Sequence, residues 1–178
     1  TEVMWGTGAA LFIRLADYRE VGGLDGHFFA HMEEIDLCWR LRSRGKKLVC
    51  IPQSVVYHVG GATLKKENPR KTFLNFRNNL LMLYKNLPDK ELEHVLFIRG
   101  ILDRVAALVF YLKKDRANAR AVMQARREFE DIRYSFAASR IENMMKSTDE
   151  IIPERTHFSI VMKYYLLGKK HFSQLKLF

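Results

Sequence analysis

The chain contains little cysteine, since Cys38 and Cys50 are the two that occur among its 178 residues. Two thiols are too few for a disulfide framework, and their spacing does not suit a zinc site. We therefore expect both to be reduced and buried in a cytosolic protein, with Cys38 serving as a small apolar residue on a helix. This scarcity excludes a disulfide-stapled secreted domain and a zinc module.

Long uncharged apolar runs and internal repeats are also lacking. The longest apolar stretch, residues 95–112, includes Arg99, Asp103 and Arg104, so we do not expect it to span a membrane. No signal peptide is recognisable, which again favours a cytoplasmic protein. Because hydrophobic residues make up 48% of the chain, the sequence predicts a folded domain rather than a disordered one.

Acidic residues are scarce in the second part of the chain. Residues 1–61 hold seven Lys/Arg and seven Asp/Glu, so the net charge of +10 arises after residue 64, where 23 basic residues outnumber 13 acidic ones. Such an excess favours an anionic partner, namely lipid headgroups, nucleic acid or a phosphorylated substrate, or it is simply a solvated surface. No DNA- or RNA-binding signature accompanies the charge, so we do not expect a nucleic-acid partner.

The two parts of the chain also differ in predicted secondary structure. In the first part, a helical turn ends at Gly22, a helix over 35–42 ends near Gly45, and β-branched apolar segments predict short strands at 48–51 and 55–57. After about residue 65 the apolar spacing is helical only. The helices predicted there cover residues 73–84, 95–112, 117–135 and 159–170.

A cluster of three carboxylates, Glu33, Glu34 and Asp36, follows a pair of phenylalanines. Like charges this close repel one another, and they persist where a metal, an arginine or a reacting proton requires them. A helix N-terminus also favours carboxylates, through the helix dipole. The cluster by itself leaves a catalytic and a structural interpretation equally open.

Three segments of the sequence match a known pattern in order and spacing: GTGAALFIR, VGGLDGHFFAHMEEIDLCWRLRSRG and IPQSVVYHVGG. They run from Gly6 to Gly61, about the first third of the chain, and resemble family 2 glycosyltransferases of the rhamnosyltransferase-like kind. The resemblance implies a GT-A fold, in which a mixed sheet flanked by helices binds a nucleotide sugar and a divalent metal. The expected fold class is therefore α/β, with the C-terminal part of a GT-A catalytic domain over residues 1–65 and a mostly helical C-terminal region over 66–178.

The same resemblance assigns catalytic roles to the acidic cluster. In the family, the second residue of an acidic pair acts as general base on the acceptor hydroxyl. That position is Glu34 here, where the family more often has aspartate. Because glutamate is one methylene longer, Glu33 is the alternative base, and Asp36 completes the catalytic set. A carboxylate can take the proton of a sugar hydroxyl as the new bond forms, with inversion at the anomeric centre.

A metal ligand is implied by the resemblance as well. His58 matches a histidine that follows the last strand in the family and completes a metal site, so it is expected to bind Mn²⁺ or Mg²⁺; a structural histidine is the alternative. The carboxylates of such a site belong to an Asp-x-Asp motif, and none occurs in this sequence. We expect that motif and the nucleotide-binding half to precede Thr1, so that the chain alone is inactive or nearly so.

Five further positions have expected roles. Trp5 and Gly8 match the family's acceptor-side segment, where a tryptophan can stack on a sugar ring. Asp25 either binds acceptor hydroxyls or caps the local turn. Arg77 is the candidate to neutralise the departing nucleotide, with an ordinary surface arginine as the alternative. Arg40 is expected to pair with the acidic cluster and orient it.

The basic helices after residue 90 predict a surface function. Residues 95–109 and 161–178 combine apolar stripes with lysines and arginines, as in helices that lie on a membrane, although packing on the catalytic part is the alternative. With the resemblance, this predicts an inverting glycosyltransferase that transfers a sugar from a nucleotide-sugar donor to a glycan or lipid-linked acceptor in cell-surface polysaccharide synthesis. We expect it in the cytoplasm, with peripheral contact at the inner face of the cytoplasmic membrane. The alternative is a basic helical module that binds nucleic acid or membrane without catalysis.

Overall fold

A computed structural model of the chain describes residues 1–58, 68–148, 152–156, 158, 160–165 and 167–175. These residues are mainly helical, and the predicted domain boundary near residue 65 lies outside them. The α-helices are α1 (Leu15–Glu20), α2 (Glu33–Ser43), α3 (Pro69–Asn86), α4 (Asp89–Leu112), α5 (Arg116–Ile132), α6 (Ala137–Met145) and α7 (Ile160–Tyr165). Short 3-10 helices occupy Gly8–Ala10, Gly26–Phe28, Arg133–Phe136 and Phe172–Leu175.

The prediction of an α/β fold containing the C-terminal part of a GT-A domain is wrong for these residues. No β-strand occurs in the described parts of the chain, where the one β-interaction is an isolated antiparallel bridge between Glu2 and Val49. Apolar β-branched segments form strands only where a neighbouring strand supplies ladder hydrogen bonds. The segment at 48–51 pairs through backbone hydrogen bonds with three residues at the start of the chain, which are too few for a strand. The segment at 55–57 is exposed and pairs with none of the described residues.

Helix α2 confirms the helix predicted over 35–42. Its carboxylates lie in the first turn and its arginines in the last, as the helix dipole favours. Gly45 follows it at φ 73°, the left-handed conformation that glycine adopts most easily, and donates its N–H to the Arg42 carbonyl. Leu37 and Leu41 are buried on one side and pack with Val21 in a small core.

The helices predicted after residue 65 are largely confirmed. Helix α3 starts where Asn68 caps it, with the Asn68 side chain accepting a hydrogen bond from Arg70 N and Pro69 at the first helical position. Helices α4 and α5 cover the other two long predictions, whereas α7 is shorter than the predicted 159–170. The pattern missed α6, which follows a 3-10 turn after α5.

Helix α3 lies at the centre of the fold and packs against α2, α4, α5 and α6. Its leucines Leu80 and Leu81 are fully buried in the main core, and burial of each such side chain contributes about 1.5–3 kcal/mol. This core also contains Phe28, Trp39, Met82, Tyr84, Leu87, Leu92, Leu96, Phe129, Phe136 and Ile152. Since Phe28 and Trp39 flank the acidic cluster in sequence, the core fixes both sides of it.

Two further expectations can be compared with the fold. Cys38 is buried as predicted, but Cys50 is exposed, because its segment pairs with the first residues of the chain and does not lie inside a sheet. Among the described helices, none combines the length and apolarity that crossing a bilayer requires.

Candidate active site

The loop that leads into α2 has an unusual backbone. Phe29, His31 and Met32 have φ angles of 62°, 70° and 76°, in the left-handed region that residues with a Cβ rarely occupy. Each such residue costs about 1–3 kcal/mol unless its surroundings hold it in place, and such residues cluster at functional sites. The first carboxylate of the acidic cluster follows directly on this loop.

A buried asparagine on α3 holds the loop in this conformation. The Nδ2 amide of Asn78 donates to the carbonyl oxygens of Phe28 and Ala30 at 2.8 Å and of His31 at 2.9 Å. Its neighbour Arg77 donates to the carbonyl of His27 at 3.0 Å. The same strained loop is therefore fixed by two consecutive residues of one helix.

Arg77 itself is engaged on three sides. Besides the carbonyl of His27, it forms a 2.7 Å ion pair with Glu128 on α5, and its Nε donates to Asn78 Oδ1 at 3.0 Å. The structure thus gives Arg77 a role in positioning the loop, in addition to the leaving-group role predicted for it. The role of Asn78 was missed, although its place beside Arg77 on an apolar helical stripe was the available signal.

Glu33 and Glu34 share a feature that Asp36 lacks. Both are half-buried, and in each the Oε2 oxygen is buried without a hydrogen-bond partner among the described residues. The Nε2 atom of His31 is in the same condition. A buried polar atom without a partner costs about 1–3 kcal/mol, so three of them within four residues favour a site whose partners are supplied by a ligand.

Asp36, in contrast, is fully buried and fully bonded. Its Oδ2 lies 2.8 Å from Arg40 Nη2 and 3.0 Å from Lys85 Nζ, and its Oδ1 accepts from Asn86 Nδ2 at 2.8 Å. The predicted pairing of Arg40 with the acidic cluster therefore occurs at Asp36. The structure separates the three carboxylates into two that have an unpartnered oxygen among the described residues and one that anchors α2 to α3.

Asp25 lies on the turn before the strained loop and caps it. Its carboxylate accepts hydrogen bonds from His27 N at 3.0 Å and from Lys85 Nζ at 2.7 Å. Burial alone would raise the pKa of Asp25, but the hydrogen bonds from Lys85 and His27 outweigh it and lower that pKa from 3.8 to about 2. Two roles were considered for Asp25, binding of the acceptor and capping of the turn, and the hydrogen bond from His27 N is that of a turn cap.

The first segment of the chain lies close to the acidic cluster. A Cβ atom at Gly8 would lie 3.7 Å from Cβ of Glu34, an ordinary van der Waals contact, so Gly8 is a neighbour of that side chain. The acceptor-side role of Trp5 and Gly8 stays a prediction. Burial raises the pKa of the Cys38 thiol, and a hydrogen bond from the Gly6 backbone offsets part of that rise. Because of this hydrogen bond, the first segment also lies against the next turn of α2. Trp5 is 47% exposed and its ring is accessible.

His58 is exposed, at the end of the first described range. Over the described ranges, no group of three or more His, Cys, Asp or Glu side chains is arranged to hold a metal ion. These residues do not make up a metal site on their own, and the role of His58 stays a prediction.

Comparison with known proteins gives partial matches. No family model and no solved structure matches the chain. The rhamnosyltransferase WbbL of Escherichia coli is 36% identical over 58 residues, covering 33% of this chain and 22% of that protein. The N-acetylglucosaminyl-diphospho-decaprenol L-rhamnosyltransferase of Mycobacterium tuberculosis is 38% identical over 56 residues, covering 32% and 18%.

A longer match extends into the helices. The pre-mycofactocin glycosyltransferase of Mycobacterium tuberculosis is 31% identical over 135 residues, covering 70% of this chain and 28% of that protein. The chain therefore spans between 18% and 28% of the length of these relatives. Its similarity is to part of three glycosyltransferases, and it supports a glycosyltransferase role in general.

Proposed function

We propose that the chain is the part of a glycosyltransferase that activates the acceptor, with Glu34 as the general base. One observation carries this assignment: Glu34 has a buried carboxylate oxygen without a hydrogen-bond partner among the described residues, next to Gly8 and directly after a strained loop. The names of the relatives supply the reaction class.

The proposed step transfers one proton and exchanges one bond. The Glu34 carboxylate accepts the proton of the acceptor hydroxyl, and the acceptor oxygen forms a bond to the anomeric carbon of the donor sugar. The bond from that carbon to the diphosphate oxygen breaks, and the nucleoside diphosphate leaves with the electron pair. Attack opposite the leaving group inverts the anomeric centre, and a general base contributes about 10²–10⁴-fold to such a rate.

Other residues of the site hold Glu34 in place. Asn78 fixes the loop before it, and Asp36 joins α2 to Lys85 on α3. We assign Asp36 a positioning role because it is fully buried and its oxygens are already bonded. Glu33, which also has an unpartnered carboxylate oxygen, is the alternative base.

The substrates are proposed from the relatives' names and the site's chemistry. We propose a nucleotide-sugar donor and a saccharide or lipid-linked acceptor in cell-surface polysaccharide synthesis, because two relatives are rhamnosyltransferases and the name of one includes a diphospho-decaprenol. A divalent metal bound in part by His58 remains a proposal for the whole enzyme. Since the described residues do not form a metal site, no step above depends on it.

The test of the base is the Glu34→Gln variant of the whole enzyme. We expect kcat to fall about 10²–10⁴-fold with little change in donor KM, because glutamine keeps the shape but cannot accept the proton. The assay follows nucleoside diphosphate release from nucleotide sugars that include an activated L-rhamnose. Glu34→Asp should retain part of the activity.

Two matched variants make this test specific. Glu93→Gln removes an exposed carboxylate from α4 and should leave turnover unchanged. Full activity in Glu34→Gln together with loss in Glu33→Gln would move the base to Glu33. If both variants turned over normally, no base would reside in this cluster.

We also propose peripheral contact with the cytoplasmic face of an anionic membrane, and helix α4 supports it. Its buried side carries Leu92 and Leu96 in the first half of the helix and Gly100, Asp103 and Ala107 in the second half, so small and polar groups face the protein from Gly100 onward. From Phe97 onward the outer side exposes a stripe of large apolar side chains, the reverse of an ordinary surface helix. The exposed residues are Phe97, Ile98, Ile101, Val105, Leu108, Val109, Tyr111 and Leu112.

Charge identifies the expected occupant of this stripe as an anionic bilayer. Arg104 is exposed within the stripe, Lys113 and Lys114 follow its end, and the net charge of +10 arises in this part of the chain. Interfacial helices combine apolar burial with attraction to anionic headgroups in this way. Leu167, in the other stripe predicted to contact a membrane, is also exposed, while Leu166 lies outside the described residues.

Co-sedimentation with vesicles tests the membrane proposal. The protein should pellet with phosphatidylglycerol and much less with phosphatidylcholine, and the binding should weaken as salt shortens the Debye length from about 10 Å at 0.1 M to about 3 Å at 1 M. Replacing Ile101 and Leu108 by glutamine should abolish most of the binding. The matched change of Ile141 and Met145 on α6, also exposed apolar residues, should not.

Two results would overturn the membrane proposal. Equally negligible pelleting with both lipids would remove the bilayer as the occupant of the stripe. A concentration-dependent dimer lost in the Ile101/Leu108 variant, without lipid binding, would assign the stripe to a second copy of the chain.

A further inference from the structure

An open cleft of about 690 Å³ lies between the strained loop, the start of α3 and the start of α5. Its volume falls within the range of small-molecule sites, about 300–1,000 Å³. Among the described residues, the lining side chains are three arginines with apolar and neutral polar groups, and none is a carboxylate. They include Phe29, Arg70, Phe73, Arg77 and Arg120.

The three arginines of the cleft differ in how they are held. Arg77 is fixed by Glu128 and the loop carbonyl, as described above. Arg70 and Arg120 form no ion pair with any residue that the structure describes. Glu128 neutralises Arg77, whereas the charges of Arg70 and Arg120 are not paired with a described carboxylate and can attract an anion. The planar guanidinium fork suits the oxygens of a phosphate group.

The cleft also offers flat apolar surface beside the cations. The guanidinium of Arg70 lies 5.3 Å from the ring centre of Phe29, and that of Arg77 lies 5.3 Å from the ring centre of Phe73. Phe29 is 65% exposed, so its ring is accessible from the cleft. A ligand that joins an anionic group to an apolar or ring-shaped body would contact both kinds of surface.

We infer that this cleft binds the diphosphate group of a substrate, with Arg70 and Arg120 as its free cationic contacts and Phe29 and Phe73 beside the attached group. The choice of a diphosphate rests on the proposed function, whereas the anion site rests on the cleft alone. The diphosphate could come from a nucleotide sugar or from a prenyl-linked acceptor. Phe29 is four residues before Glu33, so a ligand here would also contact the loop that leads to the proposed base.

Calorimetric titration of the full chain with three probes tests this inference. The probes are inorganic pyrophosphate, uridine diphosphate and farnesyl diphosphate, with farnesol as the uncharged control. We expect saturable binding of pyrophosphate and of at least one organic diphosphate, and none of farnesol. Tighter binding of the nucleotide would identify the donor as the source, and tighter binding of the prenyl compound the acceptor.

The decisive variant is Arg70→Gln combined with Arg120→Gln. Loss of two charge-assisted contacts should weaken diphosphate binding about tenfold or more. Lys169→Gln with Lys170→Gln removes the same charge from an exposed segment outside the cleft and should bind like the wild type. Circular dichroism establishes that both variants are folded.

The inference fails if the wild type binds none of the diphosphates. It also fails if the two double variants bind them equally well, because the affinity would then reflect net charge and not the cleft. Neither result depends on turnover. If the chain bound no diphosphate, Glu34 could still be the base. If Glu34→Gln kept full turnover, the diphosphate titration would still be valid.

Discussion

Two aspartates of this fold, Asp36 on α2 and Asp103 on α4, are fully buried but differently held. Asp36 is bonded through both oxygens, and the side chains of its cationic partners Arg40 and Lys85 are 6% and 3% exposed. The partners of Asp103 reach solvent, since Arg99 is 28% and Arg126 14% exposed. Asp103 Oδ1 accepts no hydrogen bond, although Arg99 lies 3.0 Å away.

The difference shows what each buried charge organises. Arg40 donates to the carbonyls of Val21 and Gly23, and Lys85 bonds to Asp25, so the Asp36 network joins the turn before the loop to α2 and α3. The ion pairs of Asp103 join α4 to α5 through Arg126. One buried carboxylate thus supports the candidate site, while the other fixes the helix whose apolar side faces outward.

The largest expected effect is that of Asp36→Asn. Removing this charge leaves two buried cations without their carboxylate, and breaking such a pair costs about 3–5 kcal/mol. Urea unfolding should show a fall of that size in the free energy of unfolding, and turnover of the whole enzyme should fall because α2 is no longer fixed to α3. A loss below about 1 kcal/mol would mean that the network does not hold the site together.

A smaller effect is expected for Asp103→Asn, the matched change on α4. Its arginine partners can turn toward solvent, so the cost should be about 1.5–3 kcal/mol, the range of one hydrogen bond to a charged group. Activity should stay near that of the wild type, because none of the described hydrogen bonds or ion pairs joins this network to Glu34. Equal destabilisation by the two substitutions would remove the distinction between them.

The sequence predicted the helices better than the site. Period-3.6 spacing marks α3, α4 and α5 because each buries one stripe, and Gly45 marks the end of α2 because a left-handed residue is needed there. The strands failed because β-pairing depends on residues far away in sequence. The apolar segments at 48–51 and 55–57 have the right composition but lack a sheet to join.

Within the site, sequence placed Glu33, Glu34 and Asp36 together but could not separate their roles. That separation depends on Lys85 and Asn86, which are about 50 residues away and reach only Asp36. The role of Asn78 could not be predicted either, because its amide donates to backbone carbonyls. Every residue has a backbone carbonyl, so such a contact requires no particular residue type in the sequence. Long-range polar contacts of this kind are visible only once the helices are packed.

The smallest expected effect is the pH dependence of stability at Asp25, which belongs to the Asp36 network through Lys85. The pKa of Asp25 is lowered from 3.8 to about 2 in the folded protein, since hydrogen bonds from Lys85 and His27 outweigh the burial that would raise it. The unfolded chain therefore binds more protons than the folded one between these values. The stabilisation from Asp25 is complete above about pH 4 and is lost as the pH falls toward 2.

A pKa lowered this far corresponds to at most about 2.4 kcal/mol, and solvent screening at this partly exposed carboxylate reduces the contribution to about 1 kcal/mol. We expect Asp25→Asn to be less stable than the wild type by that amount at pH 6, because Lys85 keeps its 3.0 Å contact with Asp36. At pH 2 the two proteins should have nearly the same free energy of unfolding, measured by urea titration at each pH. The other acid-titrating carboxylates are common to both proteins, so the difference between them isolates Asp25. A stability difference that stayed constant from pH 6 to pH 2 would show that the Asp25 charge does not contribute, and that the substitution acts only through the shape of the turn.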